Sequence, residues 1–349
     1  MNIKTCLLLT GFLAAFSPSW RLAQAVTLVP GDIVVAASFS NRLSVGGAIV
    51  VVDPTTGDRT ILSDSTHGTG PVLLGGTSIS FAPDGSLLVA GGTAQSLYRV
   101  DPATGNRSII TSASVGTGPG SQYDGALQLS SNILLSGGPL LYVDPATGNR
   151  TAVLGGDNLA SVGFVVNGTN LIIGNAGTSN DIIKLDSTTG IQTIVSGSGV
   201  GTGPAISYPA GIVYDGSGNL LLEQTPGPLT GGEILQIDPL TGDRTIVSGG
   251  SVGTGPAIAI DGSQLAIEPN GTLLVIDHLG NNVLQIDPAT GNRTILSGIT
   301  EGTGPLWLID GLGTACAIVP NVPEPSALIL AALGGLALLA YRRWQARRA

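Results

Sequence analysis

The stretch LQIDPATGNRTILS, Leu284–Ser297, decides the fold, because five related stretches precede it in the chain. Their shared aspartates are separated by 48, 43, 42, 52 and 49 residues, and these aspartates are Asp53, Asp101, Asp144, Asp186, Asp238 and Asp287. An internal period in the forties that consists of strand-like pieces is typical of β-propellers and not of helical solenoids.

The residue chemistry of this stretch predicts a β-hairpin. The aspartate side chain can accept an N–H two residues later, the proline fixes φ for a turn, and the glycine supplies a left-handed residue. We expect the arginine on the returning strand to be a cross-strand partner of the turn aspartate. The fourth copy, IKLDSTTGIQTIVS from Ile183, lacks both proline and arginine. We therefore infer that these two residues support the hairpin without being essential to it.

A second hairpin precedes each of these turns. In the second period the predicted strands are Ser78–Ala82 and Ser86–Ala90, and equivalent pairs follow at 211–214 with 219–223 and at 264–268 with 272–277. Two hairpins per period give the four strands of one propeller blade.

The first period is incomplete, because only the strand Asp32–Ser38 and one hairpin fit ahead of Asp53. A strand-like segment without a hairpin of its own, Leu306–Val319, follows the sixth hairpin. We predict that it supplies the missing inner strand of the first blade, which removes exposed sheet edges. The predicted fold is an all-β, six-bladed propeller with four-stranded blades over residues 26–319. The sixth period, LLVIDHLGNNVLQID from Leu273 to Asp287, resembles the NHL-repeat propellers, and this resemblance implies the same fold.

The first 25 residues have the order of a secretory signal peptide: Lys4, an apolar run from Cys6 to Phe16, then Ala23 and Ala25. We expect signal peptidase to cleave before Val26. Cys316 is then the only cysteine of the mature chain, so packing and not disulfide bonding must hold the fold together.

Charge excludes some classes of partner. Residues 26–321 contain 22 acidic and eight basic side chains. A chain this acidic, without a basic cluster, is not expected to bind nucleic acid or to be drawn to anionic lipid.

The C-terminal segment, residues 320–349, changes character. Pro323-Glu324-Pro325 follows Val322, an apolar run covers residues 327–341, and Arg342, Arg343, Arg347 and Arg348 complete the segment. This order resembles the PEP-CTERM sorting signal of Gram-negative bacteria. The resemblance implies a short transmembrane helix, a transient inner-membrane tether, and processing by an exosortase near Pro-Glu-Pro. Delivery to the cell envelope, surface or exopolysaccharide matrix would follow. The alternative is an ordinary C-terminal anchor.

A second motif, G-T-G-P, lies in the blade-to-blade connections and begins at Gly68, Gly116, Gly201, Gly253 and Gly302. We interpret it as a turn, with glycines for unusual φ angles and proline for rigidity. The alternative is a ring of closely approaching backbone around a pore.

Candidate site residues are few. Glu223, Glu268, Asp277 and His278 are the candidate metal ligands, since gluconolactonase-like propellers, which the chain resembles in fold, hold a divalent cation with carboxylates and an asparagine. We assign no catalytic or cofactor-binding residue, and a divalent cation enters only under this alternative of a metal-dependent lactonase. The favoured function is non-catalytic, a monomeric propeller that binds extracellular polysaccharide or a surface protein, or serves as a scaffold.

Overall fold

The computed structural model describes residues 26–41, 44–91, 95–120, 122–157, 159–177, 179–225, 231–258, 264–277, 280–305 and 315–320. Within these ranges the chain forms six antiparallel sheets of four strands each. The predicted six-bladed propeller with four-stranded blades is therefore confirmed. Each blade is numbered by its order in the chain, and its strands are numbered one to four from the axis outwards.

The strands follow the chain in order, except that the first blade takes its strand one from the C-terminal end. Blade 1 contains β1 (Ile33–Asn41), β2 (Ser44–Val52), β3 (Arg59–Ser63) and, as strand one, β24 (Ala315–Ile318). Blade 2 contains β4 (Ser78–Phe81), β5 (Leu87–Gly91), β6 (Ser96–Val100) and β7 (Arg107–Thr111). Blade 3 contains β8 (Gly125–Gln128), β9 (Ile133–Ser136), β10 (Leu141–Val143) and β11 (Arg150–Ala152).

The second half repeats the pattern. Blade 4 contains β12 (Ser161–Asn167), β13 (Asn170–Asn175), β14 (Ile182–Asp186) and β15 (Gln192–Ser196). Blade 5 contains β16 (Pro209–Tyr214), β17 (Leu220–Gln224), β18 (Glu233–Ile237) and β19 (Arg244–Ser248). Blade 6 contains β20 (Ala266–Ile267), β21 (Leu273–Asp277), β22 (Asn282–Ile286) and β23 (Arg293–Ser297).

The hydrophobic core lies between neighbouring blades. Successive side chains of a strand point to opposite faces of its sheet, so one strand contributes to two cores. In β1, Ile33 and Val35 pack towards blade 6, whereas Val34 packs with Ile79 and Leu87 of blade 2. Because both faces of each inner sheet are covered, strand two of blades 2 to 6 is buried along almost its whole length instead of alternating.

Small residues allow the inner strands to meet around the axis. A Cβ placed on Gly163 of blade 4 would lie 2.0 Å from the carbonyl oxygen of Ala210 in blade 5. One placed on Gly211 would lie 2.3 Å from the backbone nitrogen of Leu265 in blade 6. Glycine at these two positions is required by backbone contact between blades.

The closing strand lies where the sequence predicted it. β24 pairs antiparallel with β1, in the register Ile33↔Ile318 to Ala36↔Ala315. Backbone hydrogen bonds between residues 319 and 31–32 extend the pairing beyond the strand. Of the predicted segment Leu306–Val319, residues 306–314 lie outside the described ranges. The result confirms that the C-terminal strand completes the first blade.

One predicted loop is wrong. The sequence predicts that the first strand ends at Ser38 and that a loop follows as far as Gly46, but β1 continues to Asn41 and β2 begins at Ser44, with these two residues paired. Apolar and small residues in both strands continue the β-ladder as far as the pair of Asn41 with Ser44. The predicted signal peptide with Ala23 and Ala25, and the tail from 321 with Val322 to Pro325, Arg342 and Arg343, lie outside the described residues. In the part of the chain that the structure describes, no helix has the length and apolarity needed to cross a bilayer.

Candidate functional site

The six turn aspartates cap their own hairpins. The carboxylate of Asp144 accepts the N–H of Ala146 at 2.9 Å and the hydroxyl of Thr147 at 2.7 Å. The other five each accept the N–H two residues on, at Thr55, Ala103, Thr188, Leu240 and Ala289. These hydrogen bonds hold the pKa of Asp144 below its usual value, the Thr147 hydroxyl first among them. Turn stabilisation, as predicted, is the role of these carboxylates.

The predicted pairing of the repeat arginine with the turn aspartate is wrong. Arg107 instead reaches the connection that precedes its blade, where Nε donates to the carbonyl of Pro71 at 2.8 Å. Its Nη1 donates to Ser63 Oγ at 2.7 Å and to the His67 carbonyl at 2.9 Å. Arg59, Arg150, Arg244 and Arg293 make the equivalent contact with Pro305, Pro119, Pro204 and Pro256. The aspartate oxygens already accept hydrogen bonds in the turn, and the guanidinium binds carbonyl oxygens of the neighbouring blade.

The residue before each arginine binds the same connection. Asn106 Oδ1 accepts both the N–H and the hydroxyl of Thr69, each at 2.8 Å. Asn149, Asp243, Asn292 and Asp58 hold Thr117, Thr202, Thr254 and Thr303 in the same way. Each G-T-G-P segment is therefore a turn that docks on the outer hairpin of the next blade, and not part of a ring around the axis. Its two glycines, such as Gly68 and Gly70, have φ of 73° and 111°.

The seam between blades 3 and 4 lacks this arrangement. Gln192 replaces the arginine, and the preceding connection, LGGDNLA from Leu154, contains no G-T-G-P. Gln192 Nε2 donates to the carbonyl of Gly155 at 2.6 Å. The arginine and the motif are absent together because they are the two sides of one contact. The arginine supports its own hairpin, as the sequence predicts, since Arg244 Nη1 donates to the carbonyl of the turn residue Gly242 at 3.1 Å; it also supports the seam, where the same atom donates to the Val200 carbonyl at 3.1 Å.

The structure separates the predicted metal ligands. Glu268 lies in the turn between strands one and two of blade 6, where its carboxylate accepts hydrogen bonds from Gln285. Asp277 ends β21 and accepts a hydrogen bond from Asn282 at 3.2 Å. Thr272, whose carbonyl accepts the N–H of Glu268, lies five residue steps along the strand from Asp277, a separation of about 16 Å. These two carboxylates cannot share one ion.

Glu223 is fully buried near the axis, where its Oε2 lies 2.9 Å from a Cβ built on Gly211. Burial, together with this carboxylate, raises the pKa of the Cys316 thiol to about 12. His278 lies outside the described residues. Within the described ranges, no three His, Cys, Asp or Glu side chains are close enough to hold a metal ion.

The axis contains a cavity of about 210 Å³ among the inner strands of blades 2 to 6. Most of the residues that line this cavity have small or apolar side chains, Gly125, Ala126 and Phe164 among them. Gln264 of blade 6 reaches across to blade 2, where it donates to Ser78 Oγ at 2.9 Å and accepts the N–H of Ile79 at 3.0 Å. This side chain links two blades that are not neighbours in the ring.

One end of the propeller carries the strained backbone. We call it the loop face, formed by the connections between strands two and three and by the residues that lead directly into strand one. All four non-glycine residues with positive φ in the described ranges lie there: Gln95, Asn180, Tyr208 and Asn281. Such a backbone costs about 1–3 kcal/mol per residue and is retained where the surroundings impose it.

An amide and a carboxylate side chain occupy equivalent positions at the base of this face in three consecutive blades. They bind each other in blades 5 and 6, whereas in blade 4 Asn175 Nδ2 donates to Ser179 Oγ and Asp181 Oδ1 accepts the N–H of Ser198. Asn175 with Asp181, Gln224 with Glu233 and Asn282 with Asp277 occupy the ends of strands two and the starts of strands three. Gln224 Nε2 donates to Glu233 Oε2 at 3.2 Å and to the Ala205 carbonyl at 3.2 Å. The amides thus fix both the loops between strands two and three and the chain entering strand one. Of these six residues, only Asp277 is predicted from the sequence as a site residue.

The described residues define a closed, acidic, six-bladed β-propeller. Residues 321–343 match the family model of the PEP-CTERM protein-sorting motif, so the chain carries this motif directly after the propeller. The motif implies exosortase-dependent export, with a transient C-terminal membrane anchor ahead of the envelope or surface.

No curated protein sequence matches the chain. Among solved structures, one similar chain is a candidate 6-phosphogluconolactonase from Bacteroides fragilis, at 13% identity and a TM-score of 0.49. The match covers 82% of this chain and 98% of that one.

Proposed function

We propose that this protein is an exported, exosortase-processed propeller with a non-catalytic binding or structural role at the cell surface or in the exopolysaccharide matrix. The observation that carries the proposal is the order of elements at the C-terminal end. β24 completes blade 1 at Ile318, and the sorting motif begins at residue 321. Cleavage near Pro323 would therefore release every strand of the propeller.

The charge distribution supports a neutral extracellular partner. Five of the eight basic side chains in residues 26–321 are the repeat arginines, which the carbonyl oxygens of neighbouring blades already hold. Acidic groups dominate the remaining charges. A surface of this kind repels phosphate and other anions, and suits an uncharged matrix component.

Cell fractionation tests the proposal. In wild-type cells we expect the protein in the surface or matrix fraction, and in an exosortase-deficient strain we expect it in the membrane fraction. Glu324→Ala should reproduce the deficient strain, because it alters the motif and leaves the propeller unchanged. Equal membrane retention in all three cases would contradict the sorting role.

Metal analysis tests the non-catalytic role. Protein recovered without chelators should contain no stoichiometric divalent ion. One tightly held ion per chain that is lost in Asp277→Asn but kept in Asp84→Asn, a change in an exposed turn of blade 2, would favour the metal-dependent lactonase.

A further inference from the structure

A groove of about 230 Å³ lies between blades 5 and 6, at the end of the propeller opposite the loop face. We call this end the turn face, formed by the turns between strands one and two and between strands three and four. The structure describes all four of these turns in blades 5 and 6. The rim of the groove includes Asp215, Ser217 and Gly271 from the turns. Its floor consists of apolar side chains from both blades: Leu221, Val247, Ile267 and Leu273.

An arginine fills the equivalent place between blades 2 and 3. Arg99 lies in strand three of blade 2, two residues before the turn aspartate, where blade 5 has Gln236. Its Nη1 donates to Asp84 Oδ2 at 2.7 Å and to Ser86 Oγ at 2.8 Å, both in the turn between strands one and two. Its Nη2 reaches Gln128 Oε1 of blade 3 at 3.4 Å. A guanidinium on an aliphatic stem therefore fits this place in a seam.

The seam between blades 5 and 6 leaves the same place open. Gln236 is shorter than arginine, and its Nε2 donates to Asp215 Oδ2 at 3.0 Å within its own blade. Ile267 ends strand one of blade 6, as Gln128 ends strand one of blade 3. Gln236 and Ile267 both line the groove, which thus occupies the space that Arg99 spans in the other seam.

The groove offers a charge and hydrogen-bond acceptors to a cation. Partial burial acts to raise the pKa of Asp215, but hydrogen bonds from Asn219, Ser217 and Gln236 outweigh it and lower the pKa below its usual value. The carboxylate is therefore ionised at neutral pH. Within the described residues, Gln236 Oε1 and Ser217 Oγ have no hydrogen-bond partner and can accept N–H groups.

We propose that this groove binds an arginine side chain of a partner polypeptide. The guanidinium would lie against Asp215, Ser217 and Gln236, and its methylene stem would lie along the apolar floor. The excess of 22 acidic over eight basic side chains in residues 26–321 attracts a basic segment to the propeller. The inference names a partner for the turn face and does not depend on the role proposed above.

Amide NMR spectra of the processed, nitrogen-labelled protein test this inference with a blocked tripeptide, glycyl-arginyl-glycine, as the probe. We expect saturable shifts at the amides of Gly216, Ser217 and Gly271, and an affinity at least tenfold lower for the same peptide with glutamine in place of arginine. Gln236→Arg should also lower the affinity at least tenfold, because the protein's own guanidinium then fills the groove as Arg99 does in blade 2. Thermal unfolding should show this variant to be at least as stable as the wild type.

Gln285→Arg is the matched control. It adds the same charge at the equivalent position of blade 6, but Gln285 pairs with Leu274, whose side chain packs towards blade 1 and away from the groove. This variant should bind the arginine peptide as the wild type does. Arg99→Gln should act in the opposite direction and create a second site, with new peptide-induced shifts at Ser86 and Gln128.

Three results would overturn the inference. Equal binding of the arginine and glutamine peptides would exclude a cationic partner. Undiminished binding by Gln236→Arg, or an equal loss in Gln285→Arg, would exclude the groove as the binding site. The absence of a second site in Arg99→Gln would show that the place of Arg99 does not define the ligand.

Discussion

At the scale of single residues, the guanidinium group of the repeat arginine bridges two neighbouring blades with hydrogen bonds. Arg107 uses two different nitrogens to contact Pro71 and Ser63, and no ammonium group can reproduce this geometry. Its partners are backbone carbonyl oxygens and one hydroxyl oxygen. These oxygens accept hydrogen bonds from the guanidinium in place of the hydrogen bonds that water would donate to them. Burial lowers the pKa of Arg107 from its usual value, yet an arginine remains protonated at neutral pH. The interaction is therefore charge-assisted throughout the physiological range.

Arg107→Lys should consequently destabilise the protein although it keeps the charge. We expect the free energy of unfolding to fall by about 1.5–3 kcal/mol, the usual worth of a hydrogen bond to a charged group. The matched control is Arg99→Lys, at an exposed ion pair with Asp84, where a change within about 0.5 kcal/mol is expected. Urea unfolding followed by circular dichroism measures both. Equal effects of the two substitutions would show that Arg107 is not a seam residue.

Residue identity alone foretold only part of the site. The Asx turns were predictable because an aspartate and the N–H two residues on are local partners. The arginine contact was not, since its partners in the neighbouring blade lie 31 to 48 residues away along the chain, and 238 to 246 residues away for Arg59. A usable signal did exist: the period without arginine is also the one without G-T-G-P. The positive φ of Tyr208 had no such signal, because the side chains that bind this backbone lie 28 and 17 residues away along the chain, Asn180 for the N–H of Tyr208 and Gln224 for the N–H of Ser207.

At the scale of elements, the six seams are not equal. Five carry a backbone hydrogen bond from the arginine N–H to the threonine of G-T-G-P, for example Arg150 N–H to the Thr117 carbonyl at 2.7 Å. In the described residues, the N–H of Gln192 makes no equivalent bond. The seam between blades 3 and 4 is held instead by the Gln192 side chain and by apolar packing.

This seam should open first. We expect the amide of Gln192 to exchange with solvent at least tenfold faster than those of Arg150 and Arg244, a difference of about 1.4 kcal/mol in local opening. Residue-resolved hydrogen exchange measures it, with Arg150 and Arg244 as internal references in adjacent blades. Equal protection of the three amides would mean that the G-T-G-P contacts add nothing to seam stability.

The sequence predicted the type of these elements correctly, and it predicted their first and last residues nearly correctly. Ser78–Phe81 and Leu87–Gly91 lie within one residue of the predicted strands, because turn residues punctuate an apolar pattern. The first hairpin was predicted too short, since Gly46 and Gly47 are usually turn residues but here lie inside β2. The second of them sits where the backbone of Leu73 approaches closely, with its N–H bonded to the Leu73 carbonyl. A sequence pattern describes only residues that are close together in the chain, so it could not predict this contact between blades.

At the scale of the whole molecule, one strand joins the two ends of the propeller. β24 brings the C-terminal end of the fold onto β1, so that each of the six sheets in the ring has four strands. The closure also explains how a sorted protein can lose its tether without losing its fold, because the last strand ends ahead of the motif.

Cys316 reports on this closure. It lies in the middle of β24, is 3% exposed, and its pKa is raised to about 12, so the folded protein presents no thiolate at neutral pH. A thiol reagent should reach it only when β24 detaches or the propeller unfolds.

The most direct measurement is the intact mass of the protein recovered from cells after a brief maleimide treatment at neutral pH under native conditions. The account predicts a chain that has lost the apolar run at 327–341 and carries no maleimide, and one adduct when the same protein is first unfolded in guanidinium chloride. A native chain that still contains the apolar run, or that already carries the adduct at Cys316, would contradict a closed propeller released from its membrane tether.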